Sequence, residues 1–371
     1  MRGNGQRVLI VGAGIAGLAA ARAMRGWGAS IDVIDRTPAP AAEGTGIYLP
    51  GNAVRALATL GLADEVTSHA VRIIRQRFAD HRGHLLLDID VADLWRGVGP
   101  CLAIHRADLH RVLLSGIEEI PVRWGQTPTA MAADRGGTTV EFRDGSTCWY
   151  DVVLGADGVH STVRRLVFGG HGVRSLDQYA RRFVVAQPAA EPVWSVLLGR
   201  ASAFLTIPIG DGRVYCYCDS PPGSPPPDLR KVFNGYAEPV PTLLDALGSA
   251  SDDGTTQAGV LEEVILDTWS HGAVLLIGDA AHATSPNMAQ GAAMALEDAI
   301  IIAECLSAAD SIVDALAAYE RRRRPRTDWV IAHTHRRDRT RALAPAIRNL
   351  VLRQFGRRIF HANYKLLFEQ P

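Results

Sequence analysis

RVLIVGAGIAGLAAARAM, residues 7–24, decides the fold. Residues 7–11 are nearly all branched and apolar and read as a fully buried strand. Gly12, Gly14 and Gly17 follow with the spacing G-x-G-x-x-G, and the Ala-rich stretch 15–27 reads as a helix. IDVID, residues 31–35, reads as a second buried strand that ends on an acid. Together they form a β-α-β unit of about 30 residues. Gly12 permits a tight turn, Gly14 lets backbone approach a pyrophosphate, and Gly17 lets the helix pack closely on the strand. The helix N-terminus supplies partial positive charge, and Asp35 is placed to bind ribose hydroxyls. The unit predicts dinucleotide binding; by itself it does not separate FAD from NAD.

Two further segments repeat this device. In DVVLGADGVHSTVRR, residues 151–165, a buried strand runs straight into Gly155-Ala156-Asp157-Gly158. In LLIGDAAHATSPNMAQGAAMALEDA, residues 275–299, a buried strand ends in Gly278-Asp279 and a loop of small residues enters a helix. A carboxylate at a strand end and free N–H groups at a helix start suit a polyol and an anion.

Outward from these motifs, helices are expected over 51–69, 106–120, 229–248, 288–306 and 311–324, with Arg-rich amphipathic helices over 326–371. Residues 71–90 read as a hairpin turning at His81-Arg82-Gly83, and 138–143 with 147–154 as strands around Asp144-Gly145. Between 169 and 267 alternating strands dominate, at 194–198, 202–209, 214–219 and 260–267. PPGSPPPD, residues 221–228, reads as a rigid exposed connection. The expected fold class is α/β. A discontinuous Rossmann-like domain (1–70, 100–168 and 268–325) is interrupted by a β-sheet domain (71–99 and 169–267), with C-terminal helices over 326–371.

Composition removes several function classes. Lys+Arg and Asp+Glu are both 39, so the zero net charge argues against a nucleic-acid-gripping protein. Lys231 and Lys365 are the two lysines; the other cations are arginines. Five scattered cysteines do not make a disulfide framework, and Cys216 and Cys218, on one strand face, lack partners with zinc spacing, so no metal site is expected. The apolar run Val8–Met24 is shorter than the roughly 20 residues a membrane span needs. A cytoplasmic location and no integral membrane segment are therefore expected. His282, His105 and His110 read as structural, and Arg321–Arg326 as a solvated helix end.

The three motifs in this order and spacing, over roughly residues 7–325, resemble the single-component FAD-dependent aromatic hydroxylases, the group typified by p-hydroxybenzoate hydroxylase. GTGIYLPGNAVRAL (44–57) and HRADLH (105–110) are similar to short members that act on quinolones, urate and related bicyclic heteroaromatics. The resemblance implies an FAD-dependent monooxygenase with NAD(P)H as transient co-substrate. O₂ would add at the flavin C4a position, and the resulting hydroperoxide would pass oxygen to an electron-rich ring. Gly12, Gly14, Ala16 and Gly17 would line the FAD pyrophosphate. Asp35 and Arg36 would hold the adenosine end, with Thr129 a further cofactor contact. Gly46 and Ile47 would lie beside the flavin, and Arg106 would reach its phosphates. Asp157 would touch FAD and help NAD(P)H to dock, Asp279 would bind ribitol, and Pro286–Ala292, with Gly291, would lie against the ring.

Tyr215 and Pro286 are the candidates for the reacting centre; a core aromatic is the alternative for Tyr215. Many relatives have Gly at Ala289 and Asn at Ala293. Ala203 falls near the position where urate hydroxylases use an arginine, which argues against urate. One strand-coupled G-x-G-x-x-G leaves no second Rossmann site, so NAD(P)H must dock transiently. The pocket is expected over strands 194–219, with Trp194, Val196, Leu198, Phe204, Thr206, Tyr215 and Tyr217. No basic cluster is evident there, so a flat, weakly polar ring is expected rather than a strongly anionic one. The protein is expected as a monomer or homodimer. The alternatives are a flavin oxidase or reductase of the same fold, and a non-catalytic flavin- or ligand-binding protein.

Overall fold

The computed structural model describes residues 3–40, 44–134, 136–187, 191–221, 228–248 and 256–371. The Pro-rich stretch expected as a rigid connection lies, over 222–227, outside the described residues. One sheet of six strands carries the motifs, in the order Ser270–His271, Val274–Leu276, Val152–Gly155, Arg7–Val11, Ser30–Asp35, Val122–Trp124. All neighbours pair in parallel except Ser270–His271. The three motif strands are adjacent, so their loops share one carboxyl edge, where open α/β sheets bind ligands. Backbone bonds tie this edge together: Gly12 N–H donates to Ile34 O at 2.8 Å and Ala156 N–H to Val11 O at 2.7 Å. The helices Ile15–Met24 and Gly291–Ala308 start from this edge and pack on each other.

A second sheet has seven strands, in the order Gln257–Val264, Val173–Ala186, Arg213–Ser220, Ala203–Gly210, Val193–Leu198, Arg75–Asp80, Leu85–Asp90. Both of its faces are covered. One buries Phe183, Phe204, Cys216 and Cys218 against Phe233 and the helix Val240–Leu247. The other looks into the large cavity described below. Smaller three-stranded sheets are formed by Thr147–Tyr150, Gly137–Phe142 and Pro128–Asp134, and by Gly46–Leu49, Cys101–His105 and Val71–Ile73.

The helices Ile312–Ala342 and Pro345–Tyr364 close the molecule. The first runs straight through Pro325, where the sequence suggests a break, and Arg323 and Arg326 are buried rather than solvated. Arg323 donates to Asp298 and Glu297, and Arg326 to Glu297, at 2.7–2.9 Å. These buried ion pairs hold the helix in register across a proline that removes one backbone hydrogen bond.

Other boundaries also differ. The helix expected over 51–69 is two helices, Gly51–Thr59 and Ala63–Ser68, parted at Gly61, whose φ is +72°. The strand expected over 147–154 splits at Asp151 between two sheets. The helix expected over 229–248 is two short ones, Leu229–Val232 and Val240–Leu247. The helix expected from 288 starts at Gly291, after a 3₁₀ turn Pro286–Met288 and Ala289 at φ +51°. The 14-residue strand Val173–Ala186 was not expected as an element.

Candidate functional site

One cavity of about 600 Å³ runs from the glycine loop to the seven-stranded sheet. Gly14, Ala16, Gly46, Ile47, Arg106, Tyr215, Asp279, Pro286, Gly291 and Ala292 all line it. The other two glycines of the fingerprint work by close approach. A Cβ on Gly12 would meet Ala156 O at 2.4 Å, and one on Gly17 would meet Gly12 O at 1.8 Å. Gly14 faces open space, with no atom within 4 Å of where its Cβ would stand.

The acids divide into two kinds. Asp279 follows Gly278 at the start of a one-turn helix; its side chain is exposed on the cavity wall and accepts no hydrogen bond among the described residues. Asp35 and Asp157 instead hold backbone. Asp35 Oδ2 accepts from Ala13 N–H at 2.7 Å, and Oδ1 accepts from the backbone N–H and hydroxyl of Thr37 at 2.8 Å. Asp35 thus fastens the glycine loop to the second strand. Asp157 accepts from Ser161 Oγ at 2.5 Å and from the N–H groups of Thr162 and Val163 at 2.6 and 3.2 Å. It is turned under the N-terminus of Thr162–Val167, and the cavity wall passes through its neighbours Ala156 and Gly158. Burial raises its carboxyl above the ordinary value. Arg36 and Thr129 line a separate groove of about 490 Å³ with Arg143 and Arg165.

Tyr215 owes its place to a glycine. A Cβ on Gly46 would lie 2.3 Å from Tyr215 Cβ, so the tyrosine stands directly against Gly46. The substrate-side wall differs in face from the expectation. Trp194, Val196, Leu198, Tyr215 and Tyr217 line the cavity, but Ala203, Leu205 and Ile207 take the place of Phe204 and Thr206. Phe204 belongs to the opposite core. With apolar residues on both faces, alternation alone does not tell which face is which.

Two parts of the wall were missed. Arg182, on Val173–Ala186, enters the lining, so the sheet does present a cation to the cavity. The C-terminal helices contribute Arg337, Arg341, Arg348, Leu352, Gly356, Phe360 and Asn363. The sequence signal available for them was the small residue Gly356, whose Cβ would meet Leu87 at 2.9 Å. His282 is structural: its Nε2 lies 2.7 Å from Asp298 Oδ2, which also accepts Gly278 N–H at 2.8 Å.

The residues fit FAD. An elongated cavity begins at open backbone by Gly14, passes an exposed carboxylate, and meets the N-terminus of an 18-residue helix at Gly291.

A family model described as "FAD binding domain" matches residues 6–334. The 3-amino-4-hydroxybenzoate 2-monooxygenase of Streptomyces cremeus is 34% identical over 354 residues, 90% of this chain and 86% of that one. An FAD-dependent urate hydroxylase of Mycolicibacterium vanbaalenii is 31% identical over 92% of this chain and 90% of its own. The crystal structure of Klebsiella pneumoniae HpxO with FAD and uric acid superposes with a TM-score of 0.88, at 27% identity, covering 99% of this chain and 98% of that one. No described helix is long and apolar enough to cross a membrane. The chain thus belongs to the FAD-binding-domain family, as an FAD-dependent aromatic monooxygenase.

Proposed function

We propose that this enzyme hydroxylates a phenolic or N-heteroaromatic small molecule, with NAD(P)H as reductant and O₂ as oxygen donor. The observation that carries the reading is the single cavity joining the glycine loop to a wall of Trp194, Val196, Leu205, Ile207, Tyr215 and Tyr217. The motif-bearing sheet is the cofactor part and the seven-stranded sheet the substrate part. When bound, FAD would supply the redox chemistry that couples NAD(P)H and O₂ to ring hydroxylation, with one oxygen atom entering the ring and the other leaving as water.

The protein's own residues do the rest. Gly14, Ala16 and Arg106 receive the phosphates, and Asp279 takes ribitol hydroxyls. Asp35 keeps the glycine loop in shape. The N–H groups at the start of Gly291–Ala308 favour negative charge beside Pro286–Ala292. The apolar wall excludes water and stacks a flat ring. Burial pushes the Tyr215 hydroxyl up to about 12, with Arg182 and Arg106 pulling it back, so it stays protonated in neutral solution. Its O–H is then a donor to an oxygen of the substrate. Ala203, small and apolar, favours rings other than urate.

The test supplies ¹⁸O₂, NAD(P)H and a panel of phenols, hydroxypyridines and quinolones to the FAD-loaded protein. A product heavier by one labelled oxygen is expected. Oxidised product without label would instead mean an oxidase or reductase of the same fold.

A further inference from the structure

The helix Pro345–Tyr364 has two apolar faces, where a surface helix ordinarily has one. Its inward row, Arg348, Leu352, Gly356 and Phe360, is spaced four apart and lines the cavity. Its outward face carries Ile347, Leu350, Val351 and Phe355, spaced three and four apart, with Leu343 one turn earlier. Ile347 and Leu350 are each 55% exposed, Phe355 49% and Leu343 41%. Leu85, also 55% exposed, opens the edge strand on which this helix packs. Single exposed apolar side chains are common; a row of them on one face marks a surface that meets something else.

The charge around this face is one-sided. Residues 336–368 hold nine arginines and lysines and one acid, Asp338, in a chain whose net charge is zero. Asp338 is turned inward, onto Ser285 and Asn287. Arg336, Arg339, Arg353, Arg357, Arg358 and Lys365 are exposed, and none has a carboxylate partner among the described residues. That charge selects the occupant. A second copy meeting this face about a two-fold axis would set the same cations against each other. None of the outward side chains lines either cavity, so a partner protein is offered a ridge rather than a groove. An anionic bilayer answers both halves: the apolar tips enter the acyl boundary while the arginines stay among the phosphates.

We propose that the outward face of Pro345–Tyr364 docks this enzyme on the surface of an anionic lipid bilayer, as a peripheral contact and not a span. The helix would lie in the plane of the interface, with its inward row still closing the cavity. Docking asks for no rearrangement of the fold. Arg348 donates to Leu198 O and Gly199 O and so keeps the helix on the seven-stranded sheet while its opposite face enters the headgroups. Membrane contact and cavity wall are then two faces of one helix, whichever ring the enzyme hydroxylates.

The experiment floats the FAD-loaded full chain with two kinds of vesicle: phosphatidylcholine alone, and phosphatidylcholine with about a third phosphatidylglycerol. The protein is expected to bind the anionic vesicles about ten-fold or more tighter, and to come off as salt rises from about 0.1 to 1 M. Arg353→Gln, Arg357→Gln and Arg358→Gln together are expected to weaken binding about 100-fold, roughly 5-fold for each cation. Leu350→Gln with Phe355→Gln is expected to weaken it about 10-fold. These side chains are exposed, so FAD content and melting temperature are expected to stay as in wild type. Failure of the wild type to float with anionic vesicles overturns the proposal, as does equal binding to neutral ones. Full binding by both folded variants overturns it too. Self-association that Leu350→Gln with Phe355→Gln abolishes, without vesicle binding, would overturn it by assigning the face to a second copy.

Discussion

Asp279 and Asp298 meet on either side of Gly278 and are used in opposite ways. Asp279 is exposed on the cavity wall with nothing to hold among the described residues. Asp279→Ala is expected to weaken FAD binding by about 1–3 kcal/mol without lowering the stability of the apoprotein. Flavin fluorescence titration beside apoprotein denaturation checks both halves. Asp298 is fully buried. Burial alone would raise its carboxyl; His282, Arg323 and the Gly278 N–H outweigh it and hold it well below the carboxylate range. A depressed folded value means stability present above the ordinary carboxylate pKa and lost as pH falls through the folded one. Asp298→Asn takes one of two carboxylates from the buried Arg323, leaving Glu297, and is expected to cost about 1–3 kcal/mol at neutral pH. The gap to wild type is expected to shrink below about pH 4, as read from urea midpoints across pH.

At the scale of elements, close approach does much of the positioning. The strand Gly46–Leu49 can pass behind Tyr215 only because residue 46 has no side chain. Gly46→Ala is expected to displace Tyr215, lower stability by about 1–3 kcal/mol and slow turnover more than it weakens FAD binding. Thermal melts and steady-state kinetics would show it; full activity would mean Tyr215 has room to yield. The β-α-β unit was legible because its buried strands and its glycines each have one structural use. The end of Ile312–Ala342 was not legible. Pro325 is a local stop signal, and what overrides it is Glu297 and Asp298, distant in sequence. The face of Ala203–Gly210 was misread for a related reason, because both sides of that sheet bury apolar groups.

For the molecule as a whole, FAD is part of the fold it occupies. A ligand that binds the native state alone stabilises by mass action, about 2.7 kcal/mol at a hundred times its Kd. The protein is expected to purify yellow, release FAD on denaturation, and melt several degrees lower after flavin is stripped. A melting temperature indifferent to added FAD would contradict the site. What the sequence by itself determined is local: a strand, a glycine turn and an acid repeat at 7–35, 151–165 and 275–299 because each motif carries its own chemistry within a few residues. The three motifs in order carry the family resemblance, and FAD is what that resemblance implies. What only the tertiary structure decided is everything requiring two distant segments to meet. The three motif strands become neighbours, Arg182 comes to lie beside Tyr217, and the helix Pro345–Tyr364 becomes a wall of the cavity. Asp35 and Asp157 turn out to grip backbone. The physical reason is that a side chain's identity is local, whereas its partner, its burial and therefore its electrostatics are set by whatever packing brings against it.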